Sequence, residues 1–350
     1  MKEQRILKYN EALDEALLQG MENDPNVYVM GCGVDDAGGI FGTTVAAAHR
    51  FGSNRVMDVP LAENAIAGIG VGSAIMGKRP VMVHARNDFL MLAMDQIVNH
   101  AAKWELMSGG KLKCPLVIRA IVGRGWGQAA QHSQSLQAMF SHVPGLNVAL
   151  PATAYDAKGL LLAALQNSGP VILIEHRLLY ETTSQVPKHF YTVPLGEGKV
   201  ARSGRDITII AFSYMVKEAL NAAKVLEAEG IDVEVIDPRS TSPLDLETIL
   251  SSVRKTRRVI VADTGWESYG VTAEVCSKVY EKTFRLLKAP IKRIALPNAN
   301  TPCSAALENE YYPGIADLIK STRILMKLES EEIHKMDSVS IEHESFQGPF

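Results

Sequence analysis

Basic charge is scarce relative to acid: 36 lysines and arginines face 39 aspartates and glutamates, a formal net charge of -3 over 350 residues. That balance, with no Lys/Arg-rich run, offers no patch for a phosphate backbone or an anionic bilayer, so neither nucleic acid nor a membrane is an expected partner. Cysteine is equally sparse. The four present, Cys32, Cys114, Cys276 and Cys303, lie far apart and show neither the paired spacing of a zinc site nor the density of a disulfide scaffold. Buried thiols in a reducing compartment are the expectation. Long apolar runs are missing too. The longest nearly uncharged stretch, Asn64 to Gly77, is shorter than the roughly 20 residues that cross a bilayer, and its glycines and alanines predict a buried helix. The opening Met1-Lys2-Glu3-Gln4-Arg5 leads into a polar amphipathic stretch without an apolar signal core or Arg/Ser-rich transit character, which predicts a cytoplasmic location.

What is present is ample apolar material: 47% hydrophobic and 21% charged residues, a composition that buries large cores, in a chain long enough for two domains of roughly 150 residues. Short β-branched runs (Val27–Met30, Arg55–Asp58, Pro80–Val83, Pro115–Ala120, Val171–Ile174) alternate with helical patterns, which predicts an α/β fold with a parallel sheet covered by helices. Near Pro187–Val200 the pattern loosens, and a second α/β series begins with Asp206–Phe212, continues through Asp232–Ile236, Arg258–Ala262 and Ile291–Ile294, and interleaves helices near Val216–Glu229, Leu244–Val253 and Val271–Lys282. The expected organisation is a first domain over 1–186, a connector over 187–205, a smaller domain over 206–327 and an acidic polar tail over 328–350, the last holding six acids and one lysine.

Two segments carry candidate chemistry. In Pro60-Leu61-Ala62-Glu63-Asn64-Ala65-Ile66, Glu63 is the acid at the mouth of the Gly/Ala-rich helix. The helix macrodipole alone favours a carboxylate there, but small residues also admit close approach of a backbone or a flat ligand, and a desolvated glutamate could protonate a heteroaromatic nitrogen. In Gln131-His132-Ser133-Gln134-Ser135, His132 sits among small polar residues after a Gly-rich stretch, suited either to structural hydrogen bonding or to acid/base work near neutrality. The glycines at Gly31-Cys32-Gly33 and Gly68-Ile69-Gly70-Val71-Gly72 do not complete a dinucleotide fingerprint, and no P-loop is present.

The ordered set Gly38-Gly39-Ile40-Phe41, Arg55-Val56-Met57-Asp58-Val59-Pro60-Leu61-Ala62-Glu63, Met94-Asp95-Gln96-Ile97-Val98, Met107-Ser108-Gly109-Gly110, Gln131-His132-Ser133-Gln134, Pro144-Gly145-Leu146, Tyr155-Asp156-Ala157-Lys158-Gly159-Leu160 and Pro238-Arg239-Ser240-Thr241-Ser242-Pro243-Leu244-Asp245 resembles the beta subunits of the decarboxylating component of 2-oxo acid dehydrogenases of the pyruvate, branched-chain and acetoin type. The resemblance spans about Glu11 to Lys327 and implies a thiamine-diphosphate pyrimidine-binding domain followed by a transketolase C-terminal domain. It implies that Glu63 hydrogen-bonds the aminopyrimidine nitrogen, that Phe89 packs on that ring, and that His132 donates a proton during acyl transfer to a lipoyl group. It also implies a potassium ion held by main-chain carbonyls of Leu116, Ala164, Leu165, Asn167 and Gly169, where Asn167 replaces a usual aspartate.

The chain carries no Gly-Asp-Gly followed about thirty residues later by Asn, so the diphosphate and Mg2+ are expected from an alpha subunit in an alpha2beta2 assembly, with a lipoyl acyltransferase as a further partner. One departure bears on substrate choice. The family's more acidic and aromatic segment before the Asp-Gln helix is here Val83-His84-Ala85-Arg86-Asn87-Asp88-Phe89, and His84 or Arg86, if in the pocket, adds a cationic donor suited to a second carboxylate or another polar substituent on the substrate. The alternatives are a solvated or interface pair, a subunit that passes its acyl carbanion to another acceptor in a specialised pathway, and a noncatalytic scaffold.

Overall fold

The computed structural model describes residues 5–124 and 127–327; the predicted acidic tail and Trp126 lie outside them. The chain runs β1 (Ile6–Lys8), α1 (Tyr9–Asn23), β2 (Val27–Gly31), α2 (Val45–Phe51), β3 (Val56–Asp58), α3 (Glu63–Ile75) and β4 (Arg79–His84), then a 3-10 stretch Asn87–Ala93 and a π-helical stretch Asp95–Ala101. It continues through α4 (Trp104–Met107), β5 (Val117–Val122), α5 (Gln137–Ser141), β6 (Asn147–Ala149), α6 (Ala154–Gln166), β7 (Val171–His176) and β8 (Thr183–Gln185). The remainder is β9 (Lys199–Arg202), β10 (Ile207–Ala211), α7 (Tyr214–Ala228), β11 (Val233–Asp237), β12 (Ser240–Ser242), α8 (Leu246–Thr256), β13 (Val259–Trp266), α9 (Val271–Thr283), β14 (Lys292–Leu296), α10 (Ala305–Tyr311) and α11 (Ile315–Met326). Contacts divide the described residues into two units, the first within 5–123, 139–195 and 240–243, the second within 124, 127–138, 196–239 and 244–327.

The first unit is built on a seven-stranded sheet in the order β12-β6-β7-β5-β4-β2-β3. All of its pairs are parallel except β12 with β6. The central strands β5 and β7 are buried along their whole length, which is why their sequences are continuous apolar runs rather than alternating ones. The single charge within each run is resolved internally. Arg119 and Glu175, both fully buried, form a bidentate pair at 2.6 and 3.0 Å between neighbouring strands. α1 packs on α6, and α6 is capped by Thr153, whose hydroxyl accepts from the Asp156 backbone N–H.

The helix read as buried from Asn64–Gly77 is buried on one face alone. Ala67, Gly70, Val71 and Ala74 of α3 are covered, and a Cβ on Gly70 would stand 3.0 Å from the Met82 sulfur and 3.1 Å from the Met30 methyl, so the missing side chain lets the helix settle onto β2 and β4. The opposite face is open, with Ile69 59% and Met76 83% exposed. A helix apolar all round normally has neighbours all round, and this one has them on one side.

The second unit carries a five-stranded sheet in the order β14-β13-β10-β11-β9. Its pairs are parallel except β9 with β11, so the expected connector over 187–205 contributes an edge strand. Apolar side chains of β10, β11 and β13 join Ile249 and Val253 of α8 and Val275 and Val279 of α9 in one core, while α7 packs with α11. Asp245 caps α8 by accepting from the Thr248 N–H.

Candidate active site

In the first unit, β2 is followed by β3 on one side and β4 on the other, which makes the gap between β2 and β4 the point where the winding of the sheet reverses. Loops leaving adjacent strands there part in opposite directions, and the crevice at their carboxyl ends is where open α/β sheets take ligands. Close approach is enforced by Gly31, where a Cβ would lie 2.5 Å from the Val83 carbonyl. The loop after β2 is tied to the end of β3 by the Gly33 N–H, which donates to Asp58 at 2.7 Å.

Glu63 opens α3 directly after β3, half-buried, in the first helical turn. Phe89 follows β4 in the 3-10 stretch Asn87–Ala93, half-buried, its N–H bonded to the Arg86 carbonyl at 3.3 Å. α3 packs against this stretch and against Asp95–Ala101. The carboxylate and the aromatic ring therefore leave neighbouring parts of one sheet edge beside the reversal point. This donor set suits the pyrimidine end of thiamine diphosphate: an acid for a ring nitrogen and a face for a flat ring. It does not suit the magnesium, since no group of three metal-ligating side chains occurs among the described residues.

The same edge holds residues that sequence reading passed over. The loop after β2 is fixed by Thr44, whose hydroxyl donates to the Val34 carbonyl at 2.8 Å, and by Arg119, which donates to the Thr43 carbonyl at 3.2 Å. That loop presents Phe41, stacked under Arg177 at 3.8 Å and within 5.7 Å of Arg86. Tyr180 lies behind Phe41 with ring centres 6.0 Å apart and donates to Glu175 at 2.8 Å. Burial, then the nearby Arg86, pushes the Arg177 guanidinium down to about 10. Burial alone takes His84 down to about 4, leaving it neutral at physiological pH. A signal for Arg177 was available: Glu175-His176-Arg177 interrupts an apolar strand at its carboxyl end.

His132 is placed in the second unit, half-buried, its N–H 3.4 Å from the Ala129 carbonyl. Its segment is anchored there by Gln137, which donates to both oxygens of Asp263 at 2.8 Å, by Ser135 with Thr264 at 3.3 Å, and by Tyr312, which donates to the Ser133 carbonyl at 3.4 Å. Arg124 lies over the Tyr312 ring at 4.1 Å. Glu63 and Phe89 thus belong to one unit and His132 to the other.

The five carbonyls expected to hold potassium gather near the amino-terminal edge of the first sheet, the end opposite Glu63. Leu116 accepts from the Val171 N–H at 2.9 Å and Ala164 from the Asn167 N–H at 3.1 Å. Asn167 Nδ2 donates to the Gly169 carbonyl at 3.0 Å, and Arg79 Nη1 donates at 2.9 Å to both Leu165 and Asn167. Each carbonyl keeps a second lone pair, though Arg79 already puts one cation against two of them.

Two family models cover most of the chain. Residues 6–183 match the transketolase pyrimidine-binding domain and residues 196–318 the transketolase C-terminal domain. The chain is 40% identical over 333 residues to the acetoin:2,6-dichlorophenolindophenol oxidoreductase subunit beta of Cupriavidus necator, covering 92% of this chain and 98% of that one. It is 42% identical to the pyruvate dehydrogenase E1 component subunit beta of Rickettsia felis, covering 89% and 96% respectively. Among solved structures it resembles a split-gene transketolase in an inactive beta4 tetramer, with a TM-score of 0.73, 25% identity, and coverage of 93% of this chain and 99% of that one. The transketolase-type pair of domains and the full-length identity to these subunits together show that the chain belongs to the E1 beta-subunit family of the 2-oxo acid dehydrogenases.

Proposed function

We propose that this chain supplies the pyrimidine side of a thiamine-diphosphate site and works as a 2-oxo acid dehydrogenase only when an alpha subunit adds the diphosphate and Mg2+ side. The observation that carries the reading is Glu63 in the first turn of α3 at the carboxyl edge of the first sheet, in a sequence without the diphosphate-metal signature. The open apolar face of α3 supports a partner there, since an uncovered apolar surface on a subunit marks an association site.

When bound, the cofactor would supply a nucleophilic carbon for the 2-oxo group and a cationic ring able to take up the electrons left as carbon dioxide departs. Glu63 holds a proton at the pyrimidine ring nitrogen, Phe89 orients the ring, and His132 delivers a proton to the lipoyl sulfur during acyl transfer. Potassium, shared among the Leu116, Ala164, Leu165, Asn167 and Gly169 carbonyls, would be a structural ion. A lipoyl acyltransferase is the proposed acceptor and the cytoplasm the proposed location.

The test is cofactor binding by calorimetry, and decarboxylation of pyruvate and of branched 2-oxo acids, for the chain alone and co-expressed with an alpha-type subunit. Binding and turnover are expected only in the pair, and Glu63→Gln in an intact assembly is expected to lose turnover. Tight cofactor binding by the lone chain would overturn the split-site reading. Full activity of Glu63→Gln would overturn the role of that residue.

A further inference from the structure

Three separate stretches of chain deliver Phe41, Arg86 and Arg177 to one place on the carboxyl edge of the first sheet: the loop after β2, the residues after β4 and the turn after β7. Arg177 is 7% exposed and its guanidinium carbon stands 3.8 Å from the Phe41 ring centre, with that of Arg86 at 5.7 Å from the same ring. Two guanidiniums on one aromatic ring lose hydration and repel one another, and Arg86 donates to the Ala85 carbonyl at 2.6 Å. Burial first, and then the charge of Arg86, lower the Arg177 guanidinium. Arg119 is engaged by Glu175 and the Thr43 carbonyl, and Asp88 favours the charged form of Arg86. The loop that carries the ring is held by Thr44 on the Val34 carbonyl and by Arg119 on the Thr43 carbonyl.

A second, independent feature lies in the same region. His84 ends β4, two residues before Arg86, and its Nε2 is a buried atom without a hydrogen-bond partner among the described residues. A buried imidazole nitrogen left unsatisfied at a sheet edge that takes ligands is a group waiting for a polar atom. A planar guanidinium pair with a neutral imidazole suits a carboxylate, which accepts from several N–H groups at once.

We propose that Arg86 and Arg177, gathered on Phe41, with His84 two residues before Arg86 at the end of β4, form an anion subsite that binds a second carboxylate on the substrate, remote from the one lost as carbon dioxide, and so select a 2-oxo dicarboxylic acid. The subsite rests on the 2-oxo acid reading above and names its substrate class.

The experiment uses the chain assembled with its alpha subunit and two substrates of equal length, 2-oxopentanoate and 2-oxopentanedioate. The dicarboxylate is expected to be preferred in kcat/KM by about tenfold or more, the range of a charge-assisted hydrogen bond. Arg86→Gln and Arg177→Gln should each erase most of that preference through KM of the dicarboxylate, and Arg177→Lys should restore part of it. Turnover of the monocarboxylate with no preference for the dicarboxylate, or variants that lower both substrates equally, would overturn the subsite while leaving the 2-oxo acid reading intact. Failure to turn over either compound, or pyruvate, in a cofactor-loaded assembly would overturn both.

Discussion

Gln137 Nε2 lies 2.8 Å from each carboxylate oxygen of Asp263, and both groups are buried. Burial raises the Asp263 carboxyl to about 6 against the counter-effect of Gln137 and two backbone N–H groups. The unfolded value is about 3.9, so between about pH 4 and 6 the native state holds a proton that the unfolded state has released. The stabilisation is complete below about pH 4 and is lost as pH rises through 6. At neutral pH the buried charge costs about 2–3 kcal/mol.

Asp263→Asn should remove that cost. Urea unfolding is expected to show the variant more stable than the parent at pH 8, by up to about 2 kcal/mol once a weakened hydrogen bond is subtracted. The gain should shrink as pH falls through 6. A variant destabilised equally at every pH would show that the hydrogen bonds, not the charge, dominate. Because Gln137 anchors the segment bearing His132, the same variant should also shift the pH profile of acyl transfer.

The Arg119–Glu175 pair is fully buried between β5 and β7. Arg119→Met should destabilise by about 3–5 kcal/mol, because Glu175 is left charged and unmatched. Arg119→Met with Glu175→Leu should cost less than the single change, although Tyr180 then loses its acceptor. Chemical denaturation of the three proteins separates these cases, and a double variant worse than the single would contradict the desolvation argument.

Arg79 donates to the Leu165 and Asn167 carbonyls and lies 3.2 Å from Asp24. Arg79→Met is expected to cost about 1–2 kcal/mol from the lost hydrogen bonds. If potassium shares this carbonyl set, the thermal midpoint of the unaltered chain is higher in potassium than in choline chloride at equal ionic strength. Identical midpoints would remove the ion from the site.

Ile69, 59% exposed on α3, should be a hot position for assembly. Ile69→Asp is expected to leave the circular dichroism spectrum of the lone chain unchanged and to weaken pairing with the alpha subunit at least tenfold, the penalty of placing a charge in a desolvated contact. Undiminished pairing by sedimentation would place the interface elsewhere.

The alternation of strands and helices, the two α/β series and the position of Glu63 ahead of a small-residue helix were legible because each is a local property: side-chain periodicity, a helix start, and the need of apolar runs for burial. Arg119 was legible in principle, as one charge inside Leu116–Val122 that had to find a partner.

Other features depend on pairing between distant segments. Hydrogen bonding between strands put β4 and β3 on opposite sides of β2 and so created the crevice at the reversal point. It also drew β9, from the segment expected as connector, and β12, from the segment expected in the second domain, into the two sheets as antiparallel edges. Burial decided which face of α3 was covered and left the other open. By itself the sequence determined the two-domain plan and the candidate acid. Tertiary structure alone brought Arg86 and Arg177 onto one ring and assigned the His132 segment to the second unit, since both follow from packing between segments far apart in the chain, which no local pattern encodes.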